Sequence, residues 1–365
     1  MSRLKAFRLK RFWLLLLLPA ALILQFSAKA SPAFAEWYAV TVYPVYAEFF
    51  SAITGVLPFS LGEVAVVVLA AAALVWLIRS IYLLVTNGEN RFERFVRIIS
   101  VPLILAVIIS FLCVTNFGTN HRRYSFAAVS GLEVRPSSVE ELYGLCVFLT
   151  KASNTLREQV NEDENGVFRL SDDVYTAAKN AKAHFNKLSE TYPTLYTTGT
   201  PKPVFASEVM SYLDISGIYC PFTFEANVNV HMNDSSIPFT MCHELAHLSG
   251  YMREDEANFI AFLASTHSND LDFVYSGMFL AMIHASNALY SADRTLWSKV
   301  YDMKSDAVER DSLANSAYWD RYDTPVAEAS NKVNDAYLKA NGQELGVRSY
   351  GRMVDLLLAY FRTDN

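Results

Sequence analysis

Three long apolar stretches before residue 118 constrain this chain more than any other feature, because a helix that crosses a bilayer needs about 20 mostly apolar residues in a row. Residues 12–28 follow a basic start (Arg3, Lys5, Arg8, Lys10, Arg11), residues 64–85 are interrupted only by Arg79 and Ser80, and residues 98–117 carry no charge. The second and third meet the length requirement well. The first is shorter, and the small residues at Ala28-Lys29-Ala30 and Ala33-Phe34-Ala35 also fit a cleavable signal peptide; a retained anchor is the preferred reading, with the same topology. Arg79 can keep its stem in lipid and its guanidinium at the interface. Basic residues mark the cytoplasmic side. The N-terminal cluster and the loop carrying Arg91, Arg94 and Arg97 therefore face inward, and everything after the third span lies outside. Residues 1–117 read as a transmembrane region and residues 118–365 as an extracytoplasmic domain of a multi-pass cell-membrane protein.

The 52% hydrophobic composition is concentrated in that first region, and a net charge of -6 without a basic face argues against a nucleic-acid partner. Four scattered cysteines (Cys113, Cys146, Cys220, Cys242) form no CxxC pair and no disulfide framework. A Cys220–Cys242 bridge is left open by the sequence. After residue 118 the pattern is that of an α+β, mostly helical domain with a small sheet. Residues 138–160 and 171–192 have helical periodicity. Residues 203–209, 215–220 and 224–232 have strand composition, the last with clear alternation.

The chemistry lies in His243-Glu-Leu-Ala-His247. Pro238 suits the first turn of a helix and Gly250 the position past its end. On such a helix two histidines four apart project from one face about 6 Å apart, so their imidazoles can converge on one metal, with Glu244 placed to act as general base. Imidazole and carboxylate ligands favour Zn2+ with one position open for water. The third ligand is expected to be Glu256. It shares a helical face with Phe259, Ile260 and Leu263, and an inward carboxylate needs a cation. Glu254 and Asp255 fall off that face and read as first-turn residues favoured by the helix dipole. A metzincin-type third histidine is excluded, since position 253 is Arg.

HExxH followed by a helix carrying Glu-Ala-Asn is similar to the gluzincin peptidases over about residues 224–264. That resemblance implies a zincin-like fold, with an edge strand that holds an extended peptide beside the active-site helix. Residues 225–231 occupy that place, which makes Glu225, Asn227, Asn229 and His231 substrate-binding candidates. Tyr275 and Tyr350 are candidate donors to the oxyanion of a tetrahedral intermediate. Nearly the whole chain also resembles a bacterial membrane-protein family catalogued as domain of unknown function 3810. The residues that carry this are Leu57-Pro-Phe-Ser-Leu-Gly-Glu63, Pro221-Phe-Thr-Phe-Glu-Ala-Asn227, the block 238–261, Tyr275-Ser-Gly277 and Ser349-Tyr-Gly-Arg-Met-Val-Asp355. The expected activity is zinc-dependent hydrolysis of a peptide or protein substrate close to the lipid bilayer. The competing expectations are an inactive zinc-binding scaffold and a cell-wall amidase.

Overall fold

A computed structural model of the chain describes residues 10–86, 91–341, 343 and 352–363. It is mostly helical, with one small sheet, and contains three helical segments long and apolar enough to cross a membrane: Phe12–Ala30, Leu61–Thr86 and Phe92–Arg122. The helices are α1 (Leu17–Ala30), α2 (Pro32–Trp37), α3 (Tyr43–Thr54), α4 (Leu61–Thr86) and α5 (Arg91–Cys113) in the first part. The first and third segments pack against each other through α1 and α5. By contrast, α4 has only Gly62 and Ser80 buried, leaving a long apolar surface that suits lipid rather than water.

The second part comprises α6 (Phe126–Ser130), α7 (Val139–Arg157), α8 (Val174–Lys187), β1 (Lys202–Pro203), α9 (Ser207–Tyr212), β2 (Gly217–Cys220), β3 (Glu225–Val228), α10 (Ile237–Leu248) and α11 (Glu254–Thr266). It continues with α12 (Leu271–Ala292), α13 (Arg294–Tyr301), α14 (Asp306–Asp320), α15 (Pro325–Ala340) and α16 (Met353–Thr363). The helix expected over 138–160 starts at a full capping box, in which Ser138 and Glu141 satisfy each other's backbone N–H groups at 3.2 and 2.8 Å. The helix expected over 171–192 starts after Asp173, whose carboxylate accepts the N–H groups of Tyr175 and Thr176.

The sheet has the order β1-β3-β2, with β1 parallel and β2 antiparallel to the central β3. Strand composition over 203–209 proves misleading beyond Pro203. Ser207 turns the chain there, its hydroxyl bonding Val204 O and accepting Val230 N–H, and α9 follows. Phe224 makes the corner into β3 at φ +53°, a conformation costly for a bulky residue. Its buried ring is held by Tyr43, Tyr46, Tyr219 and a stacked Phe50.

That aromatic cluster shows why a boundary at 117/118 does not separate two packing units. Tyr38, Tyr43 and Ala47, all between the first two spans, belong to the same core as α10 and α11. The Tyr43 hydroxyl donates to Leu248 O at 3.0 Å. Lys202 on β1 donates to the carbonyls of Thr54 and Leu57, and Asn116, near the end of the third span, donates to Pro221 O at 2.6 Å. The four cysteines are free: Cys220 packs against Gly62, while Cys242 is enclosed in the core.

Candidate metal centre

Every residue of α10 is buried, so its polar side chains must find partners within the protein. Pro238 stands in the first turn, and the orphan Phe239 N–H is taken by Ser276 Oγ at 3.1 Å. Gly250 ends the helix at φ +97° with Asn120 and Tyr43 close by, where a side chain would be strained. The chain then folds back so that α11 packs directly against α10.

His243 and His247 meet with ring centroids 4.6 Å apart. Between them comes Glu254, the first residue of α11. Its Oε2 lies 3.2 Å from His243 Nε2 and 3.5 Å from His247 Nε2. Ligands held tetrahedrally at about 2.0–2.1 Å from one ion stand roughly 3.3 Å apart, so these separations, which are also those of ion pairs, would suit a metal-ligand set. One atom from each of the three residues lies within 4.8 Å of the others, and together they could hold a metal ion. His247 Nδ1 is 2.8 Å from Tyr251 O. A carbonyl only accepts, so Nδ1 carries the proton and Nε2 presents its lone pair to the centre. Without a metal, Glu254 and His247 hold each other as charges. Burial opposes the imidazolium of His247, but Glu254 outweighs it and the pKa stands at about 9. Burial likewise opposes the Glu254 carboxylate, and the two imidazoles hold it well below the usual range.

Glu244 sits on the same helix, 2% exposed. Burial pushes its carboxyl up to about 7, and Glu254 adds to this, against the pull of both histidines and of the Tyr219 N–H. Its Oε2 is buried without a hydrogen-bond partner, the state expected of a group whose partner is a water or substrate atom in the centre. The room for it comes from β2. A Cβ on Gly217 would lie 2.4 Å from Glu244 Oε1 and 2.8 Å from Cδ and Cγ. The absence of that side chain is therefore a condition for the carboxylate's position.

The structure thus brings His243, Glu244 and His247 together, and adds Glu254 in place of Glu256. Glu256 is buried, as its helical face implied, at 3% exposure. The cation that offsets its burial is Arg253, whose Nη1 donates at 2.8 Å, and Phe126 N–H donates to the same oxygen at 2.8 Å. It ties α6 to α11 and does not reach the centre. Glu254 escaped the periodicity argument because Arg253 is extended (φ -84°, ψ 132°). A residue at the first helical position points back over the preceding turn, here toward α10, rather than along the apolar stripe.

The remaining candidates have other partners. Tyr275 is fully buried and its hydroxyl donates to Asp311, which also receives Arg157. Tyr350 lies outside the described residues. Strand β3 is central, not an edge. Glu225 accepts the N–H groups of Leu61 and Gly62 at 3.0 and 2.8 Å, capping the start of α4. The Asn227 amide donates to Ile218 O, and the Asn229 amide donates to Ser211 and Ile215. His231 lies against Tyr318 and Tyr322. The edge strand that packs against α10 is β2. Ser216 O accepts Asn229 N–H, so by antiparallel alternation Gly217 and Tyr219 turn their backbone groups away from β3.

Two further residues adjoin the centre without any sequence signal of their own. His284 on α12 is half-buried near His243, and desolvation followed by that neighbour's charge lowers its pKa to about 4. Tyr337 on α15 meets His121 at 3.3 Å, and burial with the nearby Glu254 charge raises its phenol.

A family model described as Protein of unknown function (DUF3810) matches residues 38–358. The chain belongs to that family. No curated protein and no solved structure matches it.

Proposed function

We propose that this member of the DUF3810 family is a membrane-anchored zinc metallopeptidase of zincin-like, gluzincin type, with His243, His247 and Glu254 as ligands and Glu244 as general base. The observation that carries the reading is the convergence of three ligand atoms beside a buried carboxylate oxygen that has no partner. A structural site has no use for such a base; a hydrolytic one does. The donor set of two imidazoles and one carboxylate fits zinc and leaves a position open. Bound zinc would supply Lewis acidity and a nucleophilic water at neutral pH.

The chain's own residues account for the rest. Glu244, fixed by the Tyr219 N–H and by the space above Gly217, takes the proton of the attacking water and passes it to the leaving amine. His247 is oriented by Tyr251 O. The outward N–H and carbonyl of Gly217 and the outward carbonyl of Tyr219 would take an extended peptide as a further strand beside α10. Basic residues on the N-terminal side and between the second and third spans favour a domain outside the cell. The substrates are then peptides or proteins near the bilayer.

The test uses full-length protein in detergent, loaded with zinc, assayed on casein and on peptidoglycan-derived peptides. Glu244→Gln is expected to retain stoichiometric zinc and lose turnover. Equal loss of zinc and turnover would overturn the role of Glu244. Stoichiometric zinc with no hydrolysis of either substrate by the unaltered protein would favour a scaffold.

A further inference from the structure

The helix α3 is apolar on two sides. Its inner face buries Tyr43, Ala47, Ser51 and Thr54 against the core, while Val45, Phe49, Ile53 and, just past its end, Val56 are 73, 60, 54 and 81% exposed. The spacing of four between the first three makes this one stripe. Two more large side chains are exposed on the neighbouring sheet region, Phe205 at 75% and Phe222 at 49%. An apolar surface of this extent on a protein in water marks an interaction site.

Its position relative to the spans identifies the occupant. Six residues, 55–60, separate α3 from α4. Phe205 is held at the first turn of α4, because Glu63 accepts the N–H groups of Phe205 and Ala206 at 3.1 and 2.7 Å. Phe222 is in the β2–β3 turn. Its neighbour Pro221 receives Asn116 from the end of the third span, and Cys220 and Thr223 pack on Gly62 at the start of the second. The stripe and the two phenylalanines therefore lie where the spans emerge and continue their lipid-facing surface.

We infer that this belt, formed by the outer face of α3 with Phe205 and Phe222, is buried in the interfacial layer of the same bilayer, with α3 lying in its plane. Such a helix seats its apolar face among the acyl chains beneath the headgroups. The catalytic domain is then held in one orientation on the membrane rather than swinging on three tethers. This inference rests on the three helices crossing a bilayer and is independent of the metal centre.

The test places spin labels at Phe49→Cys, Phe205→Cys and Phe222→Cys of the full chain in nanodiscs of phosphatidylcholine and phosphatidylglycerol. Glu164→Cys in the exposed loop after α7 serves as control, and signal from labelled native cysteines is subtracted. Collisions with lipid-soluble oxygen should exceed those with a water-soluble nickel chelate at the three belt positions, with the order reversed at 164. Chelate-dominated collisions at the belt would overturn the inference in favour of a water-facing surface. Exclusion of both reagents would overturn it in favour of cover by a second copy. A thermal melt matching that of the unlabelled protein reports that each variant is folded.

Discussion

Replacing Gly217 by alanine puts a methyl carbon where the Glu244 carboxylate now lies. The added Cβ would be 2.4 Å from Oε1, against 3.4 Å or more for an ordinary contact, so the carboxylate must retreat by about 1 Å. Relief by moving the strand is costly, since β2 is held by pairing with β3 and by packing against α10. A catalytic group displaced by about 1 Å costs on the order of 10²-fold in rate, or about 2.7 kcal/mol of barrier. The three atoms nearest the new methyl all belong to Glu244, and none to His243, His247 or Glu254. Gly217→Ala is thus expected to bind zinc stoichiometrically and to hydrolyse casein roughly 100-fold more slowly, the loss falling in kcat. Metal content by mass spectrometry and steady-state kinetics on one preparation would show this. Full activity in Gly217→Ala would refute the placement of Glu244 against β2, and loss of metal would refute the separation of base from ligands.

Other consequences follow from the same contacts. Gly277→Ala places a Cβ 2.8 Å from Ser265 Cβ where α12 meets α11; overpacking of this kind costs about 1–3 kcal/mol, read as a lower melting temperature in detergent. Glu225→Ala removes the acceptor of two N–H groups at the start of α4 and should cost about 1–2 kcal/mol while leaving zinc content unchanged, checked by thermal melting with metal analysis. The carboxyl of Glu141 is pulled down to about 2, first by Arg362 and then by the Ser138 N–H. A depressed carboxyl contributes stability above its unfolded value, near 4.5, that is lost as pH falls toward about 2. Glu141→Gln should therefore flatten the fall in melting temperature over that window.

Much of this was legible in the chain. Apolar runs located the three candidate spans, and Pro238 and Gly250 located the ends of the HExxH helix, because those signals are local. The HExxH spacing placed two histidines and a glutamate on one helix for the same reason. What failed depended on tertiary contacts. Helical periodicity predicted that Glu256 is buried, and it is. Periodicity has no means of saying whether a metal or Arg253 offsets the charge. Nor does it apply to Glu254, whose direction is set by the extended Arg253 before it. Strand order was equally hidden: the alternation of residues 224–232 belongs to a strand with neighbours on both sides, while β2 is an edge strand. The strings Leu57–Glu63 and Pro221–Asn227 turn out to interlock, Glu225 capping α4 and Gly62 packing on Thr223. Their shared role could not be read from either alone.

The identity of the third ligand is best tested by the zinc content of the full-length protein and of three variants, His243→Ala, Glu254→Ala and Glu256→Ala, each purified in detergent and confirmed folded by circular dichroism. One zinc per chain in the unaltered protein and in Glu256→Ala, with loss in His243→Ala and Glu254→Ala, is the expected pattern. Zinc retained in Glu254→Ala but lost in a folded Glu256→Ala would contradict the centre described above.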